Sequence, residues 1–260
     1  IFAWWLLIAQ IVLFAPLAVF FLWNGGIQTQ GWWFILGTSL IHILYFLFLS
    51  RSYMHADLSL AYPIARGTGP ALIPVAGVTL LDEEITQLAM IGIVTVIGGI
   101  FTAYWWGQIA VIAKDPLRLL KDPGTKYALL TGFTITSYSV WDKVGVNYVT
   151  PLLYMYLLSL GTAMGLAPYI LWRHRFRAIK EEFQFNILSI LGAGILTFFA
   201  YGAVLKALQL SNVSYIAPAR EIGIVFSVLL GAIVLRESLS TGRIVGSIAI
   251  TFGVFLIALG

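Results

Sequence analysis

Cysteine is absent from the 260 residues, so neither a disulfide nor a thiolate metal site can form, and thiol usage leaves no mark of compartment. Charge is scarce as well. Only 10% of residues are Asp, Glu, Lys or Arg, against about 25% in a soluble domain. Such a chain cannot cover a water-facing surface, which excludes a soluble globular fold. The 15 basic residues exceed the 11 acidic ones by only four and lie between apolar runs, so no basic face for nucleic acid is expected. Histidine occurs three times. His42 stands alone inside an apolar run and reads as packed or cavity-lining; His55 and His174 fall in loops. No residues approach metal-ligand spacing and no Ser–His–Asp grouping is present, so neither a metal nor a cofactor is expected.

What the chain does have is apolar length. Hydrophobic residues make up 60% and the mean hydropathy is +0.94. The 9 Trp, 12 Tyr and 17 Phe suit aromatic belts at membrane interfaces or the wall of a cavity. An all-α integral membrane protein follows, because a helix satisfies its own backbone groups within lipid. A span needs about 20 apolar residues. Nine runs qualify, at roughly 1–23, 31–50, 58–81, 86–109, 127–144, 148–172, 185–209, 212–235 and 240–260.

Two segments, DLSLAYPIARGTGPALIPVAGVTLLDEEIT (Asp57–Thr86) and SNVSYIAPAREIGIVFSVLLGAIVLRESLS (Ser211–Ser240), superimpose at one offset of 154 residues. Arg66 meets Arg220, Gly69 meets Gly223, Gly77 meets Gly231, Glu83 meets Glu237 and Thr86 meets Ser240. Further on, Gly92 meets Gly246 and Gly99 meets Gly253. Upstream, FAPL (Phe14–Leu17) resembles LAPY (Leu166–Tyr169), which pairs run 148–172 with run 1–23 and leaves 127–144 without a partner. The simplest account is a five-helix repeat whose first helix precedes Ile1. Residues 1–113 are then a first repeat lacking that helix, 114–126 a linker with two prolines and six charges, and 127–260 a second repeat. The complete protein is expected to hold ten helices.

Loop charge sets orientation. Arg51, then Lys114, Arg118, Lys121 and Lys126, then Arg173, Arg175, Arg177 and Lys180, then Arg236 and Arg243 alternate with loops carrying Asp82, Glu83 and Glu84. The basic side is expected in the cytoplasm. An odd-numbered repeat must insert the two halves in opposite directions, and the loops agree: NGGIQTQ (Asn24–Gln30) is uncharged where RHRFRAIKEE (Arg173–Glu182) is basic.

Arg66 and Arg220 fall roughly 5 Å from the bilayer centre at 1.5 Å rise per residue. An arginine there costs at least about 2.5–3.5 kcal/mol, so it needs a partner or a wet cavity. It could lock helices through an Arg–Glu pair, with Glu221 as counter-ion, or clamp an anionic group, whose geometry guanidinium matches. Glu221 beside an arginine reads as that counter-ion more readily than as a proton carrier. Pro63 and Pro218 lie just ahead of the arginines, with Pro70 and Pro74 further along the first copy. Each removes a backbone hydrogen bond and marks a break or a hinge. Segment TGFTITSYSVWDK (Thr131–Lys143) is polar for a span, with Thr134, Ser137, Tyr138, Trp141 and Asp142 at three- and four-residue spacing, so one face suits a water-filled route. Asp142, Lys143 and Lys206 lie near helix ends and read as interfacial anchors. The glycines at 92, 98, 99, 246 and 253 suit close helix packing.

A proline-bearing helix, a glutamate and a hydroxyl residue in a tight turn, then a glycine-rich helix, present twice in register, resembles the drug/metabolite transporter superfamily of the EamA type. The resemblance covers nearly the whole chain. It implies ten helices in two inverted five-helix repeats, a central cavity, and alternating access that moves small metabolites, often amino acids, usually outward. Sugar-phosphate antiporters in that superfamily hold phosphate with basic residues on the ninth helix, and Arg220 sits on a comparable one here. The loop charges put the C-terminus outside, where the resemblance implies both termini inside. The expectation is thus a monomeric secondary transporter in the inner (cytoplasmic) membrane for a small metabolite, amino acid or organic anion, with a proton or counter-substrate as possible second partner. Arg66, Arg220 and Glu221 would bind the anionic group, and Tyr62, Tyr138, Ser137, Trp141 and Tyr201 would line the site. The competing readings are a lipid-modifying membrane enzyme, which would need clustered carboxylates or histidines at depth, and a non-transporting sensor subunit with a sealed interior.

Overall fold

A computed structural model describes residues 1–55, 58–106, 122–234, 236 and 239–260. The described residues form α1 (Phe2–Trp23), α2 (Gly31–His55), α3 (Leu58–Leu81), α4 (Gln87–Trp105), α5 (Pro123–Gly145), α6 (Pro151–Arg173), α7 (Phe176–Leu210), α8 (Val213–Ala219), α9 (Ile222–Val234) and α10 (Thr241–Leu259). Among the described residues, eight helical stretches are long and apolar enough to cross a membrane, with α8 and α9 counted as one. Each of the nine expected runs is helical over most of its length among these residues. The one that falls short in hydropathy is α5, the segment whose polarity stood out in the sequence. Most of the linker expected at 114–126 lies outside the described residues, as do Lys114, Arg118, Lys121 and Glu237; its last four residues already form the first turn of α5.

The basic stretch Arg173–Glu182, read as a loop, is largely helical, which corrects the expected start at 185. Helix α7 begins at Phe176 and runs 35 residues, with a kink at Asn186 where φ is −116° and ψ is 17°. Charge patterning makes this early segment helical: Arg177 Nε lies 2.7 Å from Glu181 Oε1, an i,i+4 pair, and Asn186 Nδ2 donates to Glu182 Oε1 at 2.9 Å.

The chain divides into two compact units, residues 1–44 with 141–210 and residues 45–140 with 211–260. In the first, α1 packs on α6 and α7. Polar side chains join these helices inside the core. Gln10 Nε2 donates to the Gly194 carbonyl at 3.2 Å, and the Ser159 hydroxyl donates to Gln10 Oε1 at 2.7 Å. Phe14 stacks on Phe198 with ring centroids 3.8 Å apart.

The second unit displays the internal repeat. Helices α4 and α10 lie antiparallel along their whole length, joined through glycine. A Cβ on Gly92 would come 2.6 Å from the Gly253 carbonyl oxygen, and one on Gly253 would come 2.7 Å from that of Gly92. Gly99 and Gly246 meet in the same way, at 2.9 and 2.6 Å. Between them sit Val96 and Ile250, both fully buried and themselves repeat equivalents. Lipid provides little hydrophobic drive between helices, so this backbone approach is what van der Waals cohesion requires. The ends match too. Thr86 caps α4 by accepting from Ala89 N, and Ser240 caps α10 by accepting from Arg243 N. Asp82 and Arg236 both adopt left-handed φ, 52° and 56°.

Candidate functional site

The proline breaks act differently in the two copies. Helix α3 stays helical through Pro63, Pro70 and Pro74. The equivalent stretch is interrupted at Arg220–Glu221, between α8 and α9. Pro218 lacks the N–H that would bond residue 214, and the chain tightens instead of unwinding. Glu221 N donates to the Pro218 carbonyl at 3.0 Å, Gly223 N to Arg220 at 3.2 Å and Ile224 N to Glu221 at 2.9 Å, all three-residue bonds.

This turn carries the Glu221 side chain inward, where the residue is fully buried. Arg66 Nη2 approaches Glu221 Oε2 at 3.2 Å, and Arg220 Nε lies 4.0 Å from Oε1. The two repeat-equivalent arginines thus converge on one carboxylate. The arginine side chains are 28% and 19% exposed, against 1% for the glutamate. Tyrosines surround the group. Arg66 Cζ stands 6.0 Å from the Tyr62 ring centroid, Tyr62 lies 5.4 Å from Tyr104, and Tyr45 meets Tyr138 edge-on at 6.0 Å. Tyr45, Tyr62 and Tyr138 are all electrostatic neighbours of Arg66. Tyr104 also borders a cavity of about 160 Å³ with Ser227 and Arg243. Paired guanidiniums with phenol hydroxyls at hand suit recognition of a carboxylate or phosphate. No group of three His, Cys, Asp or Glu able to hold a metal occurs among the described residues.

In the first unit, Asp142 organises a second polar cluster. It is fully buried, which corrects its reading as an interfacial anchor. Its Oδ1 accepts from the Tyr154 hydroxyl and its Oδ2 from the Tyr201 hydroxyl, each at 2.6 Å. Thr38 and His42 are its electrostatic neighbours. Distance along a helix does not measure burial: Asp142 is near the end of α5, but that end is covered. Residues 146–150 fold back, with Val146 and Val149 buried, and pair with the loop after α1 through Gln28 N to Tyr148 O at 2.8 Å and Thr150 N to Gly26 O at 2.9 Å.

The family model described as EamA-like transporter family matches residues 122–259. The chain belongs to the EamA-like transporter family. The model described as Small Multidrug Resistance protein matches residues 2–96, so a transporter family is matched in each half. The protein is a multi-pass membrane transporter of the drug/metabolite type. Of the 26 solved chains that match, one titled "Crystal structure of protein" is 15% identical, with a TM-score of 0.70, covering 98% of this chain and 88% of its own; that likeness speaks to fold alone. No curated protein matches in sequence.

Within this EamA-like chain, Arg66, Arg220, Glu221, Tyr62 and Tyr138 stand together in the second unit. Ser137 is exposed and its hydroxyl bonds back to the Phe133 carbonyl at 2.8 Å. Trp141 and Tyr201 belong to the first unit. Trp141 Nε1 donates to the Phe34 carbonyl at 2.9 Å, its ring lying against Gly37, while Tyr201 serves Asp142. Lys143 is also more than an anchor, its Nζ donating to the Leu208 carbonyl at 2.7 Å. Tyr45, Tyr104, Tyr154 and Thr38 carried no sequence signal, since single hydroxyl residues in apolar helices are common.

Proposed function

We propose that this EamA-like protein is a secondary active transporter that moves a small metabolite bearing an anionic group, an organic anion or amino acid, outward across the cytoplasmic membrane by alternating access, working as a monomer. The observation that carries the reading is the convergence of Arg66 and Arg220 on Glu221. Two cations and one anion leave the trio with one net positive charge, in a setting where low dielectric strengthens any added ion pair. Glu221 holds the guanidiniums in place between turnovers, and an incoming carboxylate or phosphate takes up part of their donor capacity. Tyr62 and Tyr138 flank the bound group. The turn at Arg220–Glu221, after Pro218, is the joint about which α8 and α9 change their angle, with Pro63 and Pro70 giving α3 its own compliance.

The test is thermal stabilisation of the purified protein against a metabolite panel, with Arg220→Gln alongside. A ligand at one hundred times its dissociation constant adds about 2.7 kcal/mol. Anionic metabolites should stabilise the parent and not the variant. If Arg220→Gln binds and transports them like the parent, the clamp is wrong.

A further inference from the structure

The Asp142 cluster of the first unit buries two titratable groups, Asp142 and His42. His42 Nδ1 lies 2.9 Å from the Thr38 carbonyl oxygen. The Thr38 hydroxyl lies 3.2 Å from the same nitrogen, and a neutral imidazole held this way can still take up a second proton. The ring stands edge-on to Tyr201, with centroids 6.0 Å apart. The Tyr154 and Tyr201 hydroxyls meet the Asp142 carboxyl from α6 and α7, and through Tyr201 the His42 ring of α2 joins the same cluster. Lys143, next to Asp142 on α5, reaches the Leu208 carbonyl.

An isolated charge in an unhydrated interior costs several kcal/mol, whereas a carboxylate beside an imidazolium is neutral overall. Two such groups titrate as a pair. One proton on the pair cancels the charge, and its loss leaves a net negative core that only water can stabilise. We propose that Asp142 and His42 together form a reversible proton-binding site, with Tyr154 and Tyr201 as positioning residues, and that ligand movement is linked to its occupancy. The proton passes between the pair and water when the core is hydrated, with no other co-reactant. Only the linkage rests on the transport reading; the proton site does not.

The experiment is a pH titration of the purified full-length protein followed by infrared difference spectroscopy of carboxyl groups. The parent should show an aspartic acid band that changes with pH and is lost in Asp142→Asn. His42→Gln and Tyr201→Phe should each shift its midpoint by about one unit or more. An unchanged band in Asp142→Asn overturns the site. Should Asp142→Asn and His42→Gln fail to fold, Tyr201→Phe decides, and an unmoved midpoint there also overturns it. In proteoliposomes with an interior pH dye, the parent should move protons with an anionic metabolite, and Asp142→Asn should carry the metabolite without them. Metabolite movement by the parent without protons overturns the linkage. If no metabolite moves at all, the transport reading fails while the titration still decides the proton site.

Discussion

At the scale of single residues, the chemistry lies in a few charges placed where charge is costly. Glu221 is the most consequential. It is fully buried between Arg66 and Arg220, so Glu221→Gln leaves two guanidiniums without their carboxylate. Breaking one partner of a buried pair costs about 3–5 kcal/mol, and because the arginines are partly exposed the lower figure, about 3 kcal/mol, is expected in a thermal or denaturant melt. Adding Arg66→Gln to Glu221→Gln should recover part of that loss, and a double-mutant cycle with zero coupling would contradict the pairing. These charges were legible in the sequence because an arginine in an apolar run has few innocuous explanations, and a second at the same register has fewer. Asp142 was not legible as a buried group. Its position near a helix end suggested an interface, whereas its carboxylate is buried against the hydroxyls of Tyr154 and Tyr201 on two other helices.

At the scale of elements, caps and glycines decide where helices begin and how closely they meet. Glu83 accepts from Val213 N at 2.7 Å and Ser214 N at 3.0 Å, satisfying the first donors of α8 from a distant turn. Glu83→Ala should cost about 1 kcal/mol, and hydrogen exchange should show the amides of 213 and 214 opening first. Glycines on α4 make a sharper contrast. Gly99→Leu must push against the Gly246 carbonyl and Ile250, so a loss of about 1–3 kcal/mol is expected. A Cβ on Gly98 would meet nothing within 4 Å, and Gly98→Ala should be neutral or stabilising by up to about 1 kcal/mol. Equal effects on the melting temperature would refute the packing. The helices themselves were legible from apolar run length. The early start of α7 was not, because its first turns are charged and held by local pairs rather than by lipid.

At the scale of the whole molecule, the repeat was the clearest sequence signal, since several residue types recur at one offset. Its division at 1–113 and 127–260 is a proposal about descent, and the compact units draw helices from both halves. The loop charges predict sidedness. In a chain with no cysteine of its own, Asn24→Cys should react with an impermeant maleimide added outside intact cells, and Arg175→Cys only after the membrane is opened. The reverse pattern would invert the orientation. The α4–α10 contact carries a further meaning. Gly92 sits on Gly253 and Gly99 on Gly246, while Gly92 and Gly99 are themselves the counterparts of Gly246 and Gly253. Translated into one copy, residue 92 faces residue 99 of a twin. The surface is isologous, its own complement under a two-fold rotation. Either helix therefore carries, in its own glycines, the complement of the surface it meets.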